Sequence, residues 1–204
     1  MKAISIILMI ACALTAGART AADFFAQAPA AVLPLLAPNT RLDMIDYFNS
    51  NLQTPSVNTL GGRSRITELS PEAVTVELSR GATMQLAVIP AGRDSIVAVI
   101  ETVLTPAADS NIRLYRASDW SEMASPAMPG VSQFVDPARR KEARTAEMPA
   151  YLFVRAEYKP DTGLFRFTDT TRAYYTSDDI PAGLALLRSN IDMRLSGGKF
   201  TEAK

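Results

Sequence analysis

Histidine is absent from all 204 residues, and cysteine occurs once, at Cys12. Without histidine there is no Ser-His-Asp or Cys-His catalysis, no zincin motif and little material for a zinc site. One cysteine excludes an intramolecular disulfide and a thiolate metal cluster. Charge of one sign is lacking too, because 21 basic residues balance 21 acidic ones. Such a chain has no global pull towards nucleic acid or an anionic membrane. Beyond residue 14 no apolar run approaches a bilayer span; Ile96 to Ile100 is strand-sized. Carboxylate, Ser-Lys and Tyr/Arg chemistry stay open.

What is present begins with an address. Lys2 supplies a positive start, Ile4 to Leu14 is apolar apart from Ser5, and Ala16-Gly17-Ala18 stands ahead of Arg19. That is the layout of a secretory signal peptide, too short for a permanent membrane helix. It predicts export to the periplasm or beyond. Removal of residues 1–18 takes away Lys2 and Cys12, so the mature chain is cysteine-free with a net charge near −1. A lipid anchor on Cys12 is the weaker reading. Met9-Ile10-Ala11-Cys12 is a poor lipobox, and a leader ending at residue 11 is short. Residues 19–204 read as one α+β domain with an irregular loop at 121–149.

Pro29 and Pro34 break residues 19–38 into short helical pieces. Leu42, Ile45, Phe48 and Leu52 recur at helical spacing, with Asn39 as the N-cap, which predicts an amphipathic helix over 40–51. Alternation then takes over. Val74, Val76 and Leu78 form one half-buried strand, and Met84, Leu86 and Val88 another. Residues 96–104 are apolar on both faces, as a central strand is. With Arg63–Leu69 before and Ile112–Arg116 after, these predict an antiparallel meander. Residues 121–149 lose the periodicity. Tyr151–Tyr158 and Leu164–Asp169 flank a hairpin signal, Lys159-Pro160-Asp161-Thr162-Gly163. Ile180, Leu184, Leu187 and Ile191 predict a second amphipathic helix. Ile191, Met193 and Leu195 also alternate, so a short closing strand follows, with its boundary to the helix left open. The expected fold is α+β: an antiparallel meander and hairpin with two amphipathic helices packed on it.

Five places carry candidate chemistry. In Arg41-Leu42-Asp43-Met44-Ile45-Asp46, the two acids sit three apart on one helix face. They suit general acid/base work or a cation, but equally a charged helix face beside Arg41. Gly61-Gly62-Arg63-Ser64-Arg65 has the glycines of a phosphate cradle. It leads into a strand, however, so a flexible turn is the simpler account. Arg139, Arg140, Lys141 and Arg144 form a basic cluster suited to an acidic polymer or headgroup, diluted by Asp136, Glu142 and Glu147. Trp120, with Tyr174 and Tyr175, has the equipment for gripping sugar rings, or for rim packing. Ser196-Gly197-Gly198-Lys199 has Ser-x-x-Lys spacing, but its glycines favour a turn over the helix that motif needs.

Several residues are familiar together: Phe24-Phe25, Leu33-Pro34-Leu35-Leu36, Asn39-x-Arg41-Leu42-Asp43-Met44-Ile45-Asp46-Tyr47, Gly61-Gly62-x-Ser64, Thr102-Val103 with Pro106 and Asp109-Ser110, Tyr115, Asp119-Trp120 and Gly197-Gly198-Lys199-Phe200. On these the chain resembles an uncharacterised family of exported proteins from anaerobic gut bacteria, a domain of unknown function. The resemblance implies an exported domain and brings no activity, cofactor or catalytic residue.

The leading expectation is a non-catalytic exported protein that binds a protein or glycan partner in the cell envelope. No catalytic residue, metal or cofactor is assigned, no nucleic-acid partner is implied, and no transmembrane helix is expected once the leader is removed. A carboxylate-dependent hydrolase of glycan or peptide, using Asp43 and Asp46, is one alternative. An inhibitor or folding adaptor of exported enzymes, using the 121–149 loop, is another.

Overall fold

The computed structural model describes residues 19–92 and 94–203. The expected leader, its cleavage signal and Cys12 lie outside the described residues.

Seven strands form one antiparallel sheet in strict sequence order: β1 (Ser56–Val57), β2 (Arg63–Leu69), β3 (Ala73–Ser79), β4 (Ala82–Ala91), β5 (Asp94–Val103), β6 (Asp109–Arg116) and β7 (Glu122–Met123). Four more form a second antiparallel sheet in the order β11-β10-β9-β8: β8 (Val154–Lys159), β9 (Leu164–Asp169), β10 (Asn190–Ser196) and β11 (Lys199–Glu202). The expected meander and hairpin are both present, and so is the α+β class. β4 and β5 pair over their whole length, from Ala82 opposite Val103 to Ala91 opposite Asp94. Both are covered on both faces along their middle, which is why residues 96–104 read as mostly apolar.

Alternation divides the core in two. Val74, Val76, Met84, Leu86, Val97 and Val99 face the helical layer: α1 (Ala21–Gln27), the Val32–Leu36 turns and α2 (Pro38–Asn49). Ala98, Ile100, Ile112 and Leu114 face the other way, onto Phe165, Phe167, Ile191 and Met193 of the second sheet. The layers are therefore helix, sheet, sheet. α1 starts in a capping box, in which Thr20 and Asp23 satisfy each other's backbone N–H. The Thr20 backbone and hydroxyl bonds hold the Asp23 carboxyl below the usual carboxylate range.

Two expectations are corrected. Helix α2 begins at Pro38 with Ala37 as its N-cap residue, so Asn39 is not the cap. Its buried positions are Arg41 and Met44, with Ile45 and Phe48 half-buried, whereas Leu42 and Leu52 are 50% and 52% exposed. The helix is turned so that Arg41 points inward. The second correction concerns residues 180–191, which do not form an amphipathic helix. They make a 3-10 turn at Ala182–Leu186 and then enter β10. The competing alternation of Ile191 and Met193 prevails because it buries both on the first sheet.

The reason lies partly in the 121–149 segment, which is built and docked. It holds β7, α3 (Val131–Phe134), a 3-10 turn at Pro137–Arg139 capped by Asp136, and α4 (Arg140–Ala143). Phe134 is fully buried. Main-chain bonds run from Gly183 N to Glu147 O (2.9 Å), Asp136 N to Leu186 O (3.0 Å) and Arg188 N to Phe134 O (2.7 Å). Helical bonding within 183–188 would sacrifice them. A Cβ on Gly183 would stand 2.6 Å from Glu147 O and 3.0 Å from Met148 Cα. Gly183→Ala is expected to cost about 1–3 kcal/mol by overpacking. Urea unfolding measures this, and a loss below about 0.5 kcal/mol would show that the 147–183 contact is not tight.

Candidate functional site

The sequence candidates scatter over the molecule. Arg41 is 1% exposed, so it is no surface residue. Its Nη1 donates to Phe25 O (2.8 Å) and Ala28 O (2.7 Å), closing the C-terminal end of α1, and burial lowers its pKa. Trp120 is half-buried. It meets Phe24 edge-on at 5.9 Å between ring centroids and Tyr115 at 6.2 Å, so it seals a core rim. Asp43 and Asp46 are both exposed on α2 and line none of the depressions described below. The geometry gives their proposed hydrolytic role no pocket. Among the described residues, no three acidic residues are grouped to hold a metal ion.

The basic cluster is partly structural. Arg139 bonds Glu142 at 2.7 Å and donates to Ala185 O at 3.0 Å, and the Glu142 bond raises its pKa. Arg140, Lys141 and Arg144 are exposed on the outside of α4. Tyr174 is exposed and packs against Phe153 at 4.9 Å. Ser196 and Lys199 flank a turn in which Gly197 and Gly198 have φ of +56° and +76°, conformations that suit glycine.

A different constellation emerges where α2 ends. Asn51 adopts a left-handed φ of 56°, and Leu52 N returns to Tyr47 O, which stops the helix. The chain then runs past β2 through Gln53 and Thr54. Strand alternation aims Arg63, Arg65 and Thr67 outward while Ser64 and Ile66 are buried. Arg65 lies opposite Glu77 on β3 and bonds it at 2.8 Å, while its Nη1 reaches Gln53 Oε1 at 3.3 Å. Two depressions result. One, of about 250 Å³, has Tyr47, Phe48, Asn51, Gln53, Thr54, Arg65 and Thr67 in its lining. The next, of about 400 Å³, lies among Gln53, Pro55, Arg63, Arg65, Glu77, Ser79 and Arg80. Arg65 and Gln53 belong to both, so they form one trough.

The glycines upstream serve this site indirectly. Asn58 Oδ1 accepts from Leu60 N and Gly62 N, while its Nδ2 donates to Ser64 Oγ. That bracket sets the turn which delivers Arg63 to β2. The turn reading of Gly61-Gly62 holds, and the two arginines of the same run, to which the sequence alone gives no role, line the trough. Their signal is Arg-x-Arg on a strand, which puts two arginine side chains on one face, rooted at Cα atoms about 7 Å apart. Arg80 joins them only through the β3–β4 turn. A third depression, of about 520 Å³, is bordered by Val103, Pro106, Phe153 and Asp109. Two of its polar groups are engaged within the protein: Asp109 accepts from Val154 N, and Ser110 accepts from Ala156 N.

A family model described as "Protein of unknown function (DUF3256)" matches residues 13–200. The chain belongs to this family. No curated protein matches it. Among solved structures, the chain is similar to a domain of an uncharacterised protein from Porphyromonas gingivalis W83, with a TM-score of 0.67 and 16% identity. That match covers 89% of this chain and 96% of the other. The likeness is one of fold. No helix among the described residues of the DUF3256 chain is long and apolar enough to cross a membrane.

Proposed function

We propose that this DUF3256 protein is exported to the cell envelope, where it acts as a non-catalytic binding protein with the α2–β2–β3 trough as its ligand site. One observation carries the reading. The trough gathers three arginines, two amides and two threonine hydroxyls around a single acid, Glu77, in a chain whose charges balance overall. Side chains committed to folding are hydrogen-bonded within the protein, as in the Asp109 groove. In the trough, Arg63 and Arg80 have no acid within 4.0 Å among the described residues. The leader supports export.

Hydrogen exchange of the mature chain, with and without a soluble envelope extract, tests the site. Slower exchange is expected at residues 51–54 and 63–67. Protection confined to 136–144 would instead give the role to the Arg140-Lys141-Arg144 face, and protection at neither would remove the binding function. Mass spectrometry of protein exported from a bacterial host is expected to find Arg19 at the amino terminus. An uncleaved Met1 would overturn export through this leader.

A further inference from the structure

The two halves of the trough differ in chemistry, and the difference defines a ligand. The α2 half offers Asn51, Gln53, Thr54 and Thr67, groups that both donate and accept hydrogen bonds. Sugar hydroxyls do the same. Tyr47 and Phe48 add an apolar wall of the kind that packs against the C–H face of a pyranose ring. The β3 half changes to guanidinium groups, Arg63, Arg65 and Arg80. A guanidinium fork matches a carboxylate through two parallel N–H···O bonds. Glu77 Oε2 accepts one bond from Arg65 Nε at 2.8 Å, while Arg65 Nη1 turns to Gln53, so a carboxylate already rests on the middle arginine and the flanking pair have none among the described residues.

We propose, resting on the trough being the ligand site, that the protein binds an acidic polysaccharide. A neutral part of the sugar chain lies along residues 51–54 and 67, and a uronate-type carboxylate enters the arginine half. A bare oxyanion would use only one half. Nucleic acid fits poorly, because Arg63 and Arg80 have no exposed aromatic beside them for base stacking, and the whole chain carries no basic excess. An extended peptide adding to the β2 edge would meet residues 51–54, which already run beside Arg65–Thr67.

The test uses the mature chain with polygalacturonate, neutral dextran and an oligothymidylate, followed by calorimetry or affinity electrophoresis. Polygalacturonate is expected to bind, dextran and oligothymidylate not to. Affinity should fall with added salt, since the contacts are charged. Arg63→Ser with Arg80→Ser is expected to weaken binding at least tenfold, whereas Arg140→Ser, Lys141→Ser and Arg144→Ser together should leave it unchanged. Arg63→Lys with Arg80→Lys keeps the charge without the fork and should fall between wild type and the serine pair. All five basic residues substituted are exposed, and matching thermal unfolding curves confirm intact folds. Absence of polygalacturonate binding, equal binding of dextran or oligothymidylate, or full affinity in the Arg63/Arg80 serine variant would each overturn the proposal. If extract still protects residues 51–54 and 63–67 after such a failure, the trough remains the site and only the ligand class is wrong.

Discussion

Gln85→Ala is expected to lower the unfolding free energy by about 2–5 kcal/mol, from one side chain that touches no ligand. Gln85 lies on β4 of the first sheet and is 6% exposed. Its Oε1 accepts from Tyr158 N at 2.7 Å, and its Nε2 donates to Tyr158 O at 3.2 Å. Tyr158 lies on β8, the edge of the second sheet, so the amide takes the place of a neighbouring strand. Ser110 does the same for Ala156 N at 2.9 Å, and Asp109 for Val154 N at 3.1 Å. Alternate outward N–H groups of β8 are thus satisfied by side chains of the other sheet. This both joins the sheets and closes an edge that would otherwise be open to pairing.

Alanine would leave a buried N–H and a buried C=O without partners, each costing about 1–3 kcal/mol. Gln85→Met keeps most of the volume and separates the hydrogen-bond loss from the cavity. It should fall short of wild type by nearly as much as alanine. Urea unfolding gives the energies, and hydrogen exchange at the Tyr158 amide gives the location. If Gln85→Met is as stable as wild type, or Tyr158 exchange does not change, the latch is not energetic.

Gln85 also marks the limit of what the chain discloses on its own. Met84, Leu86 and Val88 show their strand because alternation is a property of neighbours in sequence. The same alternation puts Thr83, Gln85 and Ala87 on the opposite face. Nothing local says that one of them faces a second sheet more than seventy residues later. The same holds for Arg80, which reaches the trough only through tertiary placement. Ile180 to Ile191 failed for another reason. Its four apolar residues recur at helical spacing, and only Ile191 is shared with the alternation that follows; the outcome rests on bonds to Phe134, Asp136 and Glu147, residues that sequence periodicity leaves unassigned. The hairpin after Tyr158 was legible because Pro160, Asp161 and Gly163 carry turn geometry in themselves. Gly163 has the left-handed φ of +66° that the turn requires.

Arg41→Ala is expected to cost about 3 kcal/mol, although arginine is usually a surface residue. The buried guanidinium has no acid within 4.0 Å among the described residues, and its partners are the carbonyls of Phe25 and Ala28. These belong to the last turn of α1 and its C-cap, where carbonyl oxygens carry partial negative charge and lack helical donors. α1 has no basic residue of its own there, so α2 supplies one. Two effects oppose each other. Deleting the arginine recovers the cost of burying a charge, but it strands two carbonyls and empties the space its stem filled. Replacing a buried ion by an apolar residue is harmless where the partner is replaced too. Here the partners are main chain and cannot be replaced, so the loss dominates. Arg41→Met restores the packing and isolates the polar part, with an expected loss of about 1.5–3 kcal/mol. Arg41→Lys should recover roughly half of this, since a compact ammonium can reach the carbonyls but not span both equally well. Denaturant midpoints order the three variants. A methionine variant at wild-type stability would mean that water serves the α1 carbonyls as well as Arg41 does, and the inward turn of α2 would then need another cause.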